Sequence, residues 1–455
     1  MNQTKQLGEG SVLKLLLKFS IPAIVGMLVN ALYNVVDRIF IGNAVGSLGL
    51  AGLTVTFPIM LMMMAFGVLV AMGGNALMSI KLGEDKKEDA EQILGNATTL
   101  LIGMALVITV VGLIFIDPIL QFLGASVDVF PYAKAYITII LYGTVFQAIG
   151  FGLNNFIRGE GNPKIAMLTM LIGAITNIIL DYIFIIRFGW GVEGAAWATL
   201  IAKLVSAIWV LYYFLGGTSV VKIKKKNLKL ELNIVKGIFA IGLAPFAMQF
   251  AATFLNIILN NSLNYYGGDL AISGMGIIYS IMTLLLMPVI GISQGVQPII
   301  GFNYGAKKFN RVKEALLWAI LMATIIVVTG FISIRAFPHQ LVSLFNPEDL
   351  ELIEFASHAL KIFLFFLPII GFQIIGANYF QAVGKPKQAM ILSLSRQVLI
   401  LIPALLILPR FYGLNGVFMA APLADLVASI ITGLWLMKEL QGLDAAHFHN
   451  PLMES

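Results

Sequence analysis

The chain is predicted to be an all-α integral membrane protein, with twelve transmembrane helices in two six-helix bundles related by a pseudo-two-fold axis along the membrane normal. Three observations predict this class: an extreme apolar composition, basic loops that alternate between two sides, and an internal repeat. Of the 455 residues, 59% are hydrophobic and only 11% charged, against roughly 25% charged in ordinary soluble domains. That balance excludes a soluble globular domain. Basic residues exceed acidic ones, 29 to 23, but they stand in short clusters between apolar runs, which is a membrane pattern rather than a nucleic-acid one.

A span needs about 20 apolar residues. The first half supplies six candidates, at 13–41, 50–80, 93–115, 132–157, 165–187 and 192–215, and the second half six more, at 235–262, 270–302, 315–337, 359–381, 388–410 and 414–437. The first run is too long for a signal-peptide core and is read as a retained span. With the N-terminus placed inside, the inner segments carry 22 Lys and Arg residues and the outer ones only Lys134, Arg187, Arg335, Lys361 and Arg410. Both termini are therefore expected on the cytoplasmic side.

The repeat fixes the symmetry. Ile21-Pro22-Ala23 lines up with Ala244-Pro245-Phe246, and Gly161-Asn162-Pro163-Lys164 with Gly384-Lys385-Pro386-Lys387, both at a shift of 223. Gly191-Val192-Glu193-Gly194 recurs as Gly413-Leu414-Asn415-Gly416, at a shift of 222. Each repeat holds an even number of spans, so the halves share one orientation, and parallel halves of this kind alternate access to a midplane cleft by rocking. The expected layout is an N-terminal six-helix lobe over 1–219, a basic cytoplasmic linker over 220–232, a C-terminal lobe over 233–440 and a cytoplasmic tail over 441–455.

Charges inside spans are costly and mark candidate functional sites. Asn30, Asn34 and Asp37 are spaced i, i+4, i+7 on one helical face, Asn177 and Asp181 are i, i+4, and so are Thr199 and Lys203. At 1.5 Å per residue, Asp37 lies about 6 Å below the outer end of the first span, and Asp181 and Thr199 roughly 10 Å deep. Tyr136 stands at a compatible level. Carboxylate, amide and hydroxyl oxygens are hard ligands suited to a small cation, while two neighbouring carboxylates in a low dielectric also favour a proton. At this stage structural polar packing is the open alternative. Lys203, one turn from Thr199, is expected to reach toward Asp181 and Asp37, where an ammonium competes with Na⁺ and so argues for H⁺.

These residues also resemble a known family. The stretch from Tyr33-Asn34-Val35-Val36-Asp37-Arg38 to Gly42 is similar to the first-helix signature of the multidrug and toxic compound extrusion (MATE) transporters. Asn177 to Ile185 resembles the fifth-helix signature, and Gly194-Ala195-Ala196-Trp197-Ala198-Thr199 the sixth. The likeness covers nearly the whole chain. It implies cation-coupled efflux of diverse, often cationic, organic compounds, with Asp37, Asn177, Asp181 and Thr199 matching the N-lobe cation site of the DinF-like branch. The chain departs from another branch, which has acidic residues in the seventh and tenth helices. Here those helices offer Gln249, Asn256, Asn260, Asn261 and Asn264, and Gln373 and Asn378.

Candidates for contact with substrate in the cleft are Asn34, Met60, Met63, Gln249, Asn256, Met287 and Gln373. Met60, Met62, Met63, Met64 and Met72 offer thioethers that repack around varied shapes, or serve as plain apolar filler. Arg396 and Asp425 are read as a structural ion pair. An enzyme is not expected: the four histidines lie in loops or at the C-terminus, and there is no phosphate loop or zinc spacing. A flippase for lipid-linked precursors is the alternative, followed by a passive channel. The expected partners are small organic solutes and the lipid bilayer, with no nucleic acid. No cofactor is expected beyond the coupling H⁺ or Na⁺, and the protein is read as a monomer in a prokaryotic plasma membrane.

Overall fold

In a bilayer every backbone N–H and C=O must find its partner within the chain, so long apolar runs have few solutions other than the helix. The computed structural model describes residues 3–345 and 349–448, and all regular structure among them is helical. The first half comprises α1 (Gln3–Glu9), α2 (Val12–Val45), α3 (Ser47–Gly83), α4 (Lys87–Ile114), the short α5 (Ile116–Phe122), α6 (Phe130–Tyr142), α7 (Thr144–Gly159), α8 (Pro163–Asp181) and α9 (Gly191–Leu215). The second comprises α10 (Leu232–Gly305), α11 (Phe309–Ala336), the short α12 (Pro338–Ser343), α13 (Leu350–Phe363), α14 (Leu367–Ala382), α15 (Pro386–Leu394) and α16 (Ile402–Phe448).

Nine helical stretches among the described residues are long and apolar enough to cross a membrane, or up to 11 if each bent pair forms one span. The bent pairs are α6 with α7, at 56°, and α13 with α14, at 50°. The expected spans at 132–157 and 359–381 are therefore each a broken helix. The stretch Pro386–Leu443 counts once, because helical structure runs on through Gly413 where two spans were expected.

The repeat is visible in the backbone. Only two non-glycine residues among those described have positive φ, Asp85 at 59° and Lys307 at 58°, and they stand 222 residues apart. Positive-φ glycines recur at the same offsets, Gly46 with Gly268, Gly161 with Gly384, and Gly191 with Gly413. A left-handed residue at the same place in each half means that both halves solve the same turns in the same way.

The described chain packs into two compact units, whose borders lie inside helices. One unit takes the stretch up to Glu9 together with Ile21–Phe246, and the other takes Gly10–Ser20 together with the chain from Ala247 on. In the first unit, α3 meets the start of α10 backbone to backbone: a Cβ on Gly73 would stand 2.1 Å from the Ile238 carbonyl oxygen, and one on Gly242 1.8 Å from that of Leu69. In the second unit, a Cβ on Gly295 would stand 2.8 Å from the Ser20 backbone. Gly73 and Gly295 are repeat equivalents, as are Ser20 and Gly242, so the two units use the same close crossing. Each unit thus includes the start of the other half's first helix.

The segment after α9 is strapped to the first unit. Glu160, buried between α7 and α8, accepts from the Tyr213 hydroxyl, from Ser219 Oγ at 2.9 Å, and from the Val220 and Val221 amides at 3.1 and 3.2 Å. On α4, Glu91 pairs with Lys224, Asn96 accepts from the Glu231 amide at 2.7 Å, and Thr99 donates to the Leu228 carbonyl at 2.8 Å. Burial pushes the Glu160 carboxyl up to about 7 against the pull of its donors. The folded chain therefore holds that proton more tightly than the unfolded chain, and stability declines as pH rises from 4.5 to about 7. Glu160→Ala strands four donors and is expected to cost about 2–4 kcal/mol. It should also speed tryptic cleavage after Lys222 in detergent, and cleavage at the wild-type rate would show that the strap is not held this way.

Candidate functional site

Four helices and a π turn assemble the polar cluster of the first unit. α2 carries Asp37, α6 carries Tyr136, α8 carries Asn177 and Asp181, and α9 carries Thr199. All five are buried, Asp181 completely and Asp37 to 7% exposure. An apolar cluster holds the elements together: Ile41 on α2, Tyr136 and Ile140 on α6, Ile185 on the π turn, and Ala195 and Ala196 on α9 pack against one another. Ile41 and Ile185 each lie one turn beyond a carboxylate, and Ala195 one turn before Thr199, so this packing fixes the polar layer beside it.

Asn177 Nδ2 donates to Thr199 Oγ1 at 3.3 Å, which joins α8 to α9. Asp37 lies near enough to Asp181 for the two charges to interact. Neither oxygen of Asp181 has a hydrogen-bond partner among the described residues, and neither does Asn177 Oδ1. Buried polar atoms are nearly always paired, so three bare oxygens beside a second carboxylate form a ready acceptor set. Directly after Asp181 the helix widens into a π turn over Tyr182–Arg187, a local distortion often found at functional positions.

Lys203 is one turn along α9 from Thr199, but its ammonium is directed to α7, where Nζ donates to Gln147 Oε1 at 2.7 Å. With Asp37 it interacts electrostatically, and the expected reach toward the two carboxylates is thereby corrected. The reason is local: the Gln147 carbonyl satisfies the ammonium on the helix packed against α9. Gln147 also lines a recess of about 360 Å³, counted to its open mouth, together with Met63, Met64, Phe66, Met104 and Phe151. Sequence reasoning missed Gln147. The available signal was an amide one turn into an apolar helix, with Asn154 at i+7 on the same face.

The other candidates divide between the units. In the first, Met63 is buried and Met60 packs against the apolar cluster, while the side chain of Asn34 lies outside the described residues. In the second, Gln373 is buried, Gln249 and Met287 are half-buried, and Asn256 is exposed and donates to the carbonyl of Ala252 on its own helix at 2.9 Å. Arg396 Nε donates to Asp425 Oδ1 at 2.6 Å, the expected ion pair. Asp425 stands 222 residues after Lys203, so the two units place opposite charges at equivalent positions.

Comparison with known proteins agrees with this reading of the halves. The MatE family model matches residues 22–183 and again residues 245–406, two stretches at a constant offset of 223. The chain is similar to the multidrug export protein MepA of Staphylococcus aureus, 28% identical over 440 residues and covering 96% of this chain and 97% of the relative. Among solved structures it is similar to the MATE multidrug transporter DinF-BH, at 40% identity, TM-score 0.89 and coverage of 96% and 98%. It is also similar to a MOP superfamily transporter from Pyrococcus furiosus, at 27% identity, TM-score 0.90 and the same coverage. With one family model fitting both halves over most of the chain, the protein belongs to the MatE family, whose members are secondary membrane transporters and not enzymes.

Proposed function

We propose that the protein is a cation-coupled antiporter that exports diverse, often cationic, organic compounds by alternating access. In this reading the helices form twelve spans in two six-helix lobes related by a pseudo-two-fold along the membrane normal, with both termini cytoplasmic in a prokaryotic plasma membrane. Asp37 and Asp181 carry the coupling cation, Asn177, Thr199 and Tyr136 complete its surroundings, and Lys203 tunes it. Asn34, Met60, Met63, Gln249, Asn256, Met287 and Gln373 serve the substrate. The observation that carries the reading is Asp181, fully buried with both oxygens bare and a second carboxylate beside it. A pair of carboxylates in low dielectric cannot keep both charges without a cation.

We infer that the cation is H⁺, because the Lys203 ammonium already supplies one positive charge near Asp37, which disfavours a further metal ion. The test is efflux of a cationic dye from proteoliposomes with pH and Na⁺ gradients imposed separately. A pH gradient at equal Na⁺ should accelerate efflux at least about tenfold, equivalent to about 1.4 kcal/mol of coupling. Acceleration by Na⁺ alone would replace H⁺ with Na⁺, and acceleration by neither would leave a passive pathway.

A further inference from the structure

An ammonium and a carboxylate about 4 Å apart attract by about 4 kcal/mol at the dielectric typical of protein sites. Lys203 lies within electrostatic range of Asp37, yet its Nζ is held on the neutral amide of Gln147 at 2.7 Å. The backbone that presents Gln147 is well fixed. It lies one turn into α7, just after the 56° bend at Gly143, and Thr144 Oγ1 ties that bend to the Leu141 carbonyl at 2.7 Å. The Gln147 side chain borders the recess beside Met63 and Met104, which leaves its amide room to turn. The four-carbon stem of lysine is flexible, so its ammonium has two acceptors within reach.

From this geometry we infer that Gln147 is a positioning residue that parks the Lys203 ammonium away from Asp37, and that Lys203 is a tethered counter-cation which takes Asp37 once the amide contact breaks. The inference rests on the reading of Asp37 and Asp181 as the cation site. While the lysine is parked, the carboxylates are open to the coupling cation. When it swings back it replaces that cation, so binding and release become an exchange between a mobile ion and one fixed to the chain. Loss of Gln147 should therefore act as a built-in competitive inhibitor, raising the concentration of driving cation needed without lowering the maximal rate.

The experiment measures dye efflux from proteoliposomes against the concentration of the driving cation, for wild type, Gln147→Met, Lys203→Met, Gln147→Met/Lys203→Met and Asp37→Asn. Gln147→Met is expected to raise the half-saturating cation concentration at least tenfold with the maximal rate within twofold of wild type. Adding Lys203→Met should return the half-saturating value to within threefold of wild type, a rescue that a structural role for Gln147 would not permit. Lys203→Met alone should need no more cation than wild type, which keeps the test decisive if Gln147→Met fails to fold. An unchanged half-saturation in Gln147→Met, a loss of maximal rate that Lys203→Met does not repair, or a raised half-saturation in Lys203→Met alone overturns the inference. Where any of these accompanies loss of cation dependence in Asp37→Asn, the cation-site reading survives without it. Full cation dependence in Asp37→Asn overturns both.

Discussion

Asp181→Asn, and separately Asp37→Asn, should reduce gradient-driven efflux to the background of empty vesicles while the protein still inserts and remains monodisperse. The amide is nearly isosteric with the carboxylate, so packing around Ile185 and Ala195 is preserved and only the charge is lost. At Asp181 two buried oxygens without hydrogen-bond partners are replaced by a neutral group whose burial costs less. Thermal stability of Asp181→Asn should therefore equal or exceed that of wild type. If Asp181 were a structural polar residue the order would reverse, with efflux retained and melting temperature lowered. Efflux and melting measured on the same preparations separate the two, and transport at the wild-type rate by either variant would refute the cation assignment.

How much of this was legible in the sequence can be judged residue by residue. The repeat was, because left-handed turns and loop motifs recur at 222 or 223 residues and a glycine or a Gly-Asn-Pro run leaves a mark in the letters. So were Asp37, Asn177, Asp181 and Thr199, since polar residues at i, i+4 stand out in apolar helices and share a face. The bends at Gly143 and before Leu367 were not, because hydropathy averages over about 19 residues and passes across a one-turn break. The destination of the Lys203 ammonium was equally hidden. Depth along one helix places a residue in a layer, but which neighbour accepts its proton depends on how α7 and α9 pack, and Gln147 lies 56 residues away. Asn256 shows the converse: an amide in a span looks functional in sequence, while the structure has it bonded to the carbonyl one turn back.

The borders of the units inside α2 and α10 left no compositional trace either, because a helix that changes partners midway keeps its apolar character throughout. They rest instead on glycines, and this sets the second large effect. Gly242→Val should abolish recovery of folded protein, whereas Gly276→Val, on the same helix, should be tolerated. A Cβ at residue 242 would lie 1.8 Å from the Leu69 carbonyl oxygen, whereas at residue 276 nothing lies within 4 Å. The obstacle at 242 is backbone, so no rotamer change relieves it, and α10 must lift away from α3 along the whole crossing that includes Gly73. Overpacking a well-ordered core costs about 1–3 kcal/mol when side chains can adjust, and a backbone clash exceeds that. Small residues at such crossings let helices approach closely enough for dispersion to hold them where lipid offers no hydrophobic drive. Gly242→Ala should show a milder form of the defect, and Gly73→Val a comparable one. The measurement is yield of monodisperse protein and melting temperature in detergent for the four variants, and a Gly242→Val protein that melts with wild type would show that the start of α10 does not pack on α3.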